Sequence, residues 1–151
     1  MEKVIPNKLE ETEFFKEHGN LVEFFDNCCQ EHNGKMAFES FGVEISYEDL
    51  SEKVNAFASW LTNNFQAGDR IAVMMPNMLA YPIIVYGALK AGIVVVNVNP
   101  LYTQRELEHV LKDSEAKVLV VWEGVANVVE KSNLANVCLL YTSPSPRDVE
   151  E

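Results

Sequence analysis

Residues 94–121, VVVNVNPLYTQRELEHVLKDSEAKVLVV, decide the fold class because the spacing of their apolar residues changes twice. The first apolar run ends at Asn99-Pro100, and a second run, KVLVVW, begins at Lys117. Thr103 and Glu106 predict the capping box of a helix between the two runs. The apolar residues at helical spacing in that helix are Leu107, Val110 and Leu111. Continuous β-branched runs joined by a helix are typical of parallel strands that are covered on both faces.

The same alternation begins earlier in the chain. RIAVMM predicts a strand that turns at Pro76-Asn77 into an apolar helix over about 78–90, and Ala91-Gly92 then leads into the strand IVVVNV. The uncharged stretch 71–89 is long enough to cross a bilayer, but its prolines and its change of pattern favour a buried strand–turn–helix. Beyond KVLVVW we expect a weaker helix near 124–132 and the start of a strand at ANV, residues 135–137.

The first part of the chain predicts a helix, a hairpin and a second helix. Residues 1–19 are polar and are expected to form an irregular lead-in. Asn20 with Glu23 begins the first helix, and Asn33-Gly34 ends it. The apolar face of this helix comprises Leu21, Phe24, Phe25, Cys28 and Cys29.

MAFES and VEISY, joined by Phe41-Gly42, predict the hairpin. Ser46 with Asp49 begins the next helix, and Asn63-Asn64 ends it because asparagine tolerates the left-handed conformation. The apolar positions of this helix are Tyr47, Leu50, Val54, Phe57, Ala58 and Leu61. The predicted fold is therefore α/β, with a doubly wound, mostly parallel sheet preceded by a helix–hairpin–helix segment.

Charge and cysteine content exclude several classes of function. The net charge is −11, and residues 1–52 carry 13 acidic and 4 basic side chains. The lysines and arginines are scattered singly, so we expect no nucleic-acid partner. Three cysteines, Cys28 and Cys29 among them, form neither a disulfide framework nor a metal pair. We expect them to be reduced, in a cytoplasmic protein without a signal peptide.

The chain contains no constellation of residues that predicts catalysis. There is no glycine-rich phosphate loop, and YTSPSP, residues 141–146, lacks the glycines and the lysine that such a loop requires. We interpret Asn77 and Asn99 as turn formers. We expect Gly87 and Gly92 to be glycines because of the turn geometry at the end of a helix. The three dispersed histidines (His18, His32 and His109) lack metal-ligand spacing. Glu106 and Glu108 do not face each other on a helix. We therefore predict no catalytic, cofactor-binding or metal-binding residues.

The region from Tyr47 to Val121 resembles the N-terminal part of bacterial long-chain fatty-acid–CoA ligases, which are members of the adenylate-forming superfamily. The resemblance covers about residues 20–137, and one departure is Asn64, where relatives usually have glycine. The motifs that carry it are Tyr47 and Leu50, Gly68-Asp69-Arg70, Pro76-Asn77, Lys90-Ala91-Gly92, Asn99-Pro100 and Glu106-Leu107.

The resemblance implies the activity of a longer parent protein. That protein would convert a fatty acid and ATP to an acyl-adenylate, and then to acyl-CoA, with Mg²⁺ assisting. Its partners would be fatty acid, ATP, CoA and the missing C-terminal remainder of its own chain. It would be cytoplasmic, with possible peripheral contact at the inner membrane. The motifs for the chemistry are expected downstream of residue 151, so the 151-residue chain is predicted to be inactive and not to bind ATP.

The last residues of the chain do not continue the pattern that precedes them. CLLYTSPSPRD, residues 138–148, resembles one translated frame of a common transposase sequencing adapter. We therefore predict three parts: an irregular lead-in (1–19), a truncated N-terminal synthetase/ligase domain (20–137) and a non-native tail (138–151). Truncation near Val137 is expected to expose a sheet edge and to promote association.

Two alternatives remain open at this point. The chain could be a stand-alone α/β binding or interaction module with a genuine proline-rich tail. It could also be a fragment of a ligase that activates another acid, such as a medium-chain or aryl acid, since the expected acid pocket lies beyond residue 151.

Overall fold

The fold consists of a helix–hairpin–helix segment followed by alternating strands and helices. A computed structural model describes residues 16, 17 and 19–142 of the chain. The elements are α1 (Leu21–Glu31), β1 (Met36–Ser40), β2 (Val43–Ser46), α2 (Tyr47–Asn64), β3 (Arg70–Met74), α3 (Ala80–Lys90), β4 (Val94–Val98), α4 (Gln104–Ser114), β5 (Val118–Trp122), a short 3₁₀ helix (Glu123–Val125), α5 (Ala126–Lys131) and β6 (Cys138–Thr142).

The main sheet is parallel, as predicted. Its strand order is β4-β3-β5-β6, and β3 pairs with β4 along its whole length, from Arg70 opposite Val94 to Met74 opposite Val98. β1 and β2 form a separate antiparallel hairpin. Within the described residues, no helix has both the length and the apolar character needed to span a membrane. The stretch 71–89 instead forms the predicted strand, turn and helix.

Helices cover both faces of the sheet, which explains why its central strands are apolar throughout. Leu61 of α2 and Ile84 of α3 pack against one face. Leu107 and Leu111 of α4 and Val129 of α5 pack against the other. α1 and the hairpin form an outer layer on α2, around a third apolar cluster of Phe25, Cys29, Ile45, Leu50 and Val54.

The three predicted helix starts are confirmed. The Asn20 side chain accepts hydrogen bonds from the backbone N–H groups of Val22 and Glu23 at 3.0 Å. Ser46 Oγ accepts from Asp49 N at 3.0 Å. The Thr103–Glu106 capping box is complete. Each cap satisfies N–H groups that the first turn of a helix leaves without partners.

Some predicted details were wrong. Lys16 and Glu17 are helical rather than irregular, and the remaining predicted lead-in, apart from Gly19, lies outside the described residues. α2 does end at Asn64, but through a 2.7 Å hydrogen bond from Asn64 Nδ2 to the Trp60 carbonyl, not through a left-handed residue. The last strand begins at Cys138, after the predicted ANV. Gly92 occupies a turn at φ +71°, whereas Gly87 lies inside α3, where α2 packs closely against it.

Candidate functional site

Ligands of doubly wound sheets bind at the carboxyl ends of the strands, where successive helices change faces. In this sheet the change occurs between β3 and β5, since α3 and α4 lie on opposite faces. Pro76-Asn77 follows β3, Asn99-Pro100 follows β4 and Glu123 follows β5. These segments and the start of α3 therefore define the candidate site.

The two asparagines predicted to form turns behave differently. Asn99 Oδ1 accepts a hydrogen bond from Leu101 N at 2.9 Å, and its carbonyl accepts one from Tyr102 N at 3.0 Å, so Asn99 forms the predicted turn. Asn77 lies at a bend, but its amide caps no backbone group among residues 19–142 and instead lines a groove. The predicted turn is therefore present at both residues, and the predicted capping bond only at Asn99.

The groove beside Asn77 is apolar and has a volume of about 400 Å³. It lies between β1 and the first turns of α3, and its apolar lining includes Phe38, Met78, Tyr81, Pro82, Val85 and Tyr86. The Tyr81 hydroxyl, at the sheet end of the groove, donates a 2.8 Å hydrogen bond to Asn97 Oδ1 in β4.

The charge in this groove is unsuited to phosphate. Its one carboxylate, Glu39, accepts a 2.6 Å hydrogen bond from Gly42 N, and no lysine or arginine lines the groove. Phosphate sites need cations or converging backbone N–H groups. The groove can therefore hold an uncharged apolar group, but it cannot stabilise the charge of a nucleotide.

A second, more polar cleft of about 420 Å³ lies between α1 and α2. Its single cation, Lys90, donates 2.6 and 2.7 Å hydrogen bonds to Asp26 and Asn55, and only 17% of its side chain is exposed. Glu48 and Glu52 add negative charge to the cleft. Lys90 thus joins α1 and α2 to α3, and its charge is already neutralised by Asp26.

Glu106 and Glu108, the two carboxylates on α4, have structural roles. Glu106 belongs to the cap of α4, and hydrogen bonds from Thr103 hold the pKa of its carboxyl below the ordinary value. The carboxylate of Glu108 accepts from Asn133 N at 2.8 Å and from Gln104, which lowers its pKa as well. His109 is exposed on α4. Among the described residues, no group of three or more His, Cys, Asp or Glu side chains could hold a metal ion.

The sequence of the chain matches a known protein family and known relatives. Residues 25–149 match the AMP-binding enzyme family. The chain is 46% identical over 114 residues to the long-chain-fatty-acid–CoA ligase of Haemophilus influenzae, covering 74% of this chain and 20% of that protein. It is 45% identical over 116 residues to the ligase of the same name from Yersinia pestis, covering 76% and 21%.

A solved structure shares the fold. A benzoate CoA ligase from Burkholderia xenovorans superposes with a TM-score of 0.75 at 25% identity, covering 85% of this chain and 26% of that one. The chain therefore spans about a fifth of the length of the curated relatives it matches.

Proposed function

Because this chain belongs to the AMP-binding enzyme family, we propose that it is the N-terminal portion of an ATP-dependent long-chain fatty-acid–CoA ligase. The observation that carries the proposal is the 46% identity to a ligase of that name, across 114 residues or 74% of this chain. The sheet and its surrounding helices support it, since they superpose on an aryl-acid ligase of the same reaction type.

The proposed reaction has two steps. A carboxylate oxygen of the fatty acid attacks the α-phosphate of ATP, which releases pyrophosphate and forms an acyl-adenylate. The CoA thiol then attacks the acyl carbon, loses its proton and displaces AMP. Bound Mg²⁺ would offset the charge of the phosphates.

The residues described here do not fit a site for ATP or Mg²⁺. The apolar groove lacks a cation, and the polar cleft has a net negative charge. We therefore place the residues that perform the chemistry outside this chain, and we assign no catalytic role within it. The chain contributes a scaffold, whose sheet holds the segments after β3, β4 and β5 at one edge.

The test is an activity assay of the protein expressed from the gene, once the gene has been recovered across codon 138 and beyond. We expect the purified protein to form acyl-CoA from a long-chain fatty acid, ATP and CoA, and to release AMP. Medium-chain and aryl acids are assayed under the same conditions as comparison substrates. A preference for one of them would favour the alternative of another acyl or aryl ligase, and a downstream region without adenylate-forming motifs would contradict the proposal.

Residues 138–151 remain a proposed non-native tail. β6 buries none of its five side chains, whereas β5 buries Val118 to Val121 completely. Strand preference reflects mainly how the side chains pack, and the side chains of β6 are not buried, so its pairing with β5 does not require a sequence selected for this position. The family match runs to residue 149 and therefore includes most of this segment. Resequencing of the gene decides between the two origins. A different native reading frame after Val137 would support a non-native tail, and an unchanged frame ending after Glu151 would support a stand-alone module.

We also propose that the longer protein is cytoplasmic, with peripheral contact at the inner membrane. The proposal follows from the long-chain acids in the names of the relatives, since such substrates partition into bilayers. Cell fractionation at low and high salt tests it. Recovery of the tagged protein in the soluble fraction, with a salt-sensitive part on membranes, is expected. Recovery only after detergent extraction would contradict it.

A further inference from the structure

β4 forms an edge of the main sheet, and it lacks the features that usually protect edges. Natural edge strands carry charges, prolines or bulges that prevent pairing with another chain. β4, VVVNV, has neither a charge nor a proline, and it pairs with β3 in unbroken register. Val94 is 51% exposed, and Asn97 is exposed as well.

The direction of the backbone groups shows which of them are available. Val94 N donates to the Asp69 carbonyl, toward β3, at 2.8 Å. Because these groups alternate along a strand, the N–H and C=O of Val95 and Asn97 point away from β3. Neither N–H has a backbone partner among the described residues outside the sheet ladder.

We propose that the β4 edge pairs with the β4 edge of a second copy of this chain, antiparallel, around a twofold axis at Val96. This register places Val95 opposite Asn97 of the second copy and Val94 opposite its Val98. The two Val95–Asn97 pairs then exchange four backbone hydrogen bonds, the pattern of hydrogen-bonded pairs in antiparallel sheets. The proposal does not depend on the ligase function.

Charge favours this occupant. No ionisable side chain lies on β4, so the twofold register opposes no like charges, although the whole chain carries a net charge of −11. The acids of residues 19–52 lie on α1, on the hairpin and in the first turns of α2, which pack around the third apolar cluster and not on β4. A five-residue edge buries less area than a standard interface, so the dimer is expected to form only at high protein concentration.

The test is sedimentation velocity of the 151-residue chain over a concentration series. Val95→Pro removes an outward N–H without removing a β3–β4 hydrogen bond, and proline is tolerated on the open side of an edge strand. It removes two intermolecular hydrogen bonds per dimer and should weaken dimerisation about tenfold. Circular dichroism checks that the variant is folded. Val94→Lys, which places a charge on the edge, is the second variant and should weaken dimerisation in the same direction.

Leu101→Lys is the matched control, since Leu101 is 87% exposed and lies outside β4. It should leave dimerisation unchanged. A chain that stays monomeric, or a dimer that neither β4 variant weakens, would overturn the proposal. Amide exchange gives an independent readout, because Val95 and Asn97 should gain protection only on dimerisation. Protection of both in the monomer would show that another part of the chain covers the edge, which would also overturn it.

Discussion

Gly87 lies inside α3 because α2 approaches it too closely for a side chain. A Cβ at this position would lie 2.8 Å from Cδ1 of Phe57 and 3.2 Å from the Val54 carbonyl oxygen. Glycine costs a helix interior about 1 kcal/mol relative to alanine. The close approach of α2 therefore leaves no room for the alanine that helix propensity alone would favour.

Gly87→Ala should lower the free energy of unfolding by about 1 kcal/mol. The crowding costs about 1–3 kcal/mol, which exceeds the gain in helix propensity of about 1 kcal/mol. The Val54 carbonyl cannot move without disturbing α2. Urea denaturation measures the change, with Asn63→Ala on the exposed surface of α2 as the control. A more stable Gly87→Ala variant would show that the helices are farther apart than described.

Phe41 occupies a strained position at the tip of the hairpin. Its φ is +51° and Gly42 follows at φ +76°, the pattern of a turn that favours asparagine and glycine. Since the Phe41 side chain is 86% exposed, little packing offsets the strain. Phe41→Asn should raise the unfolding free energy by roughly 1 kcal/mol. Phe41→Leu, which keeps the strain, should not, and equal effects of the two variants in thermal denaturation would contradict this account.

Asp69 makes stability depend on pH. A hydrogen bond from Lys117, and then one from Gln66 N, hold the pKa of its carboxyl below the ordinary value of 3.8. Because the folded pKa is the lower one, the stabilisation is present above the unfolded pKa and is lost as pH falls through the folded pKa. Asp69→Asn should therefore reduce the loss of stability below about pH 4.

Lys117→Met is the companion variant. It removes the first of these hydrogen bonds and should also reduce the loss of stability below about pH 4. The measurement is urea denaturation at a series of pH values, taken as the difference from the unmodified chain because Glu106 and Glu108 contribute in the same direction. If the unfolding free energy of both variants depends on pH as it does in the unmodified chain, Asp69 does not contribute to the pH dependence.

At the scale of elements, β5 and β6 are register partners with opposite burial. Leu119 of β5 is fully buried, whereas Leu139 of β6, its partner in the ladder, is 38% exposed. A strand in the middle of the sheet contributes its side chains to both apolar layers. β6 contributes mainly backbone hydrogen bonds.

Leu119→Ala should therefore cost about 2–5 kcal/mol of unfolding free energy, the range for cavities in a core. Leu139→Ala should change it by less than about 0.5 kcal/mol. Denaturation of the two variants under identical conditions compares them directly. Similar losses would show that β6 is packed as firmly as β5, and would weaken the proposal that residues 138–151 are a non-native tail.

At the scale of the whole molecule, the chain has the sheet of an AMP-binding enzyme, and neither of the two clefts formed by residues 19–142 is suited to a nucleotide. The apolar groove and the acidic cleft both lack an available cation. Fixed positive charges and N–H groups supply most of the stabilisation in phosphate chemistry. This fits the proposal that the residues performing the chemistry lie in another part of the longer protein.

The 151-residue chain should show no saturable binding of ATP in the presence of Mg²⁺, and no acyl-CoA formation. Isothermal titration calorimetry measures the first property and AMP release the second. The positive control is the full-length protein from the recovered gene, which should bind and turn over. A stoichiometric isotherm of micromolar affinity for the short chain would show that it contains a nucleotide site after all.

Local chemistry determined what the sequence could predict alone. The caps at Asn20, Ser46 and Thr103 were predictable because each is built within three residues of chain. The alternation of apolar runs and helices predicted the parallel sheet because strands covered on both faces must be apolar throughout. The family followed from the motifs between Tyr47 and Val121.

Only the tertiary structure decided features that depend on residues distant in sequence. The order β4-β3-β5-β6, and with it the open edge at β4, follows from which strands the helices bring together. The close packing at Gly87 depends on Phe57, thirty positions earlier in the chain. The groove beside Asn77 exists because the hairpin packs near α3. Periodicity cannot specify these contacts, because it records which face of an element is buried but not which element covers it.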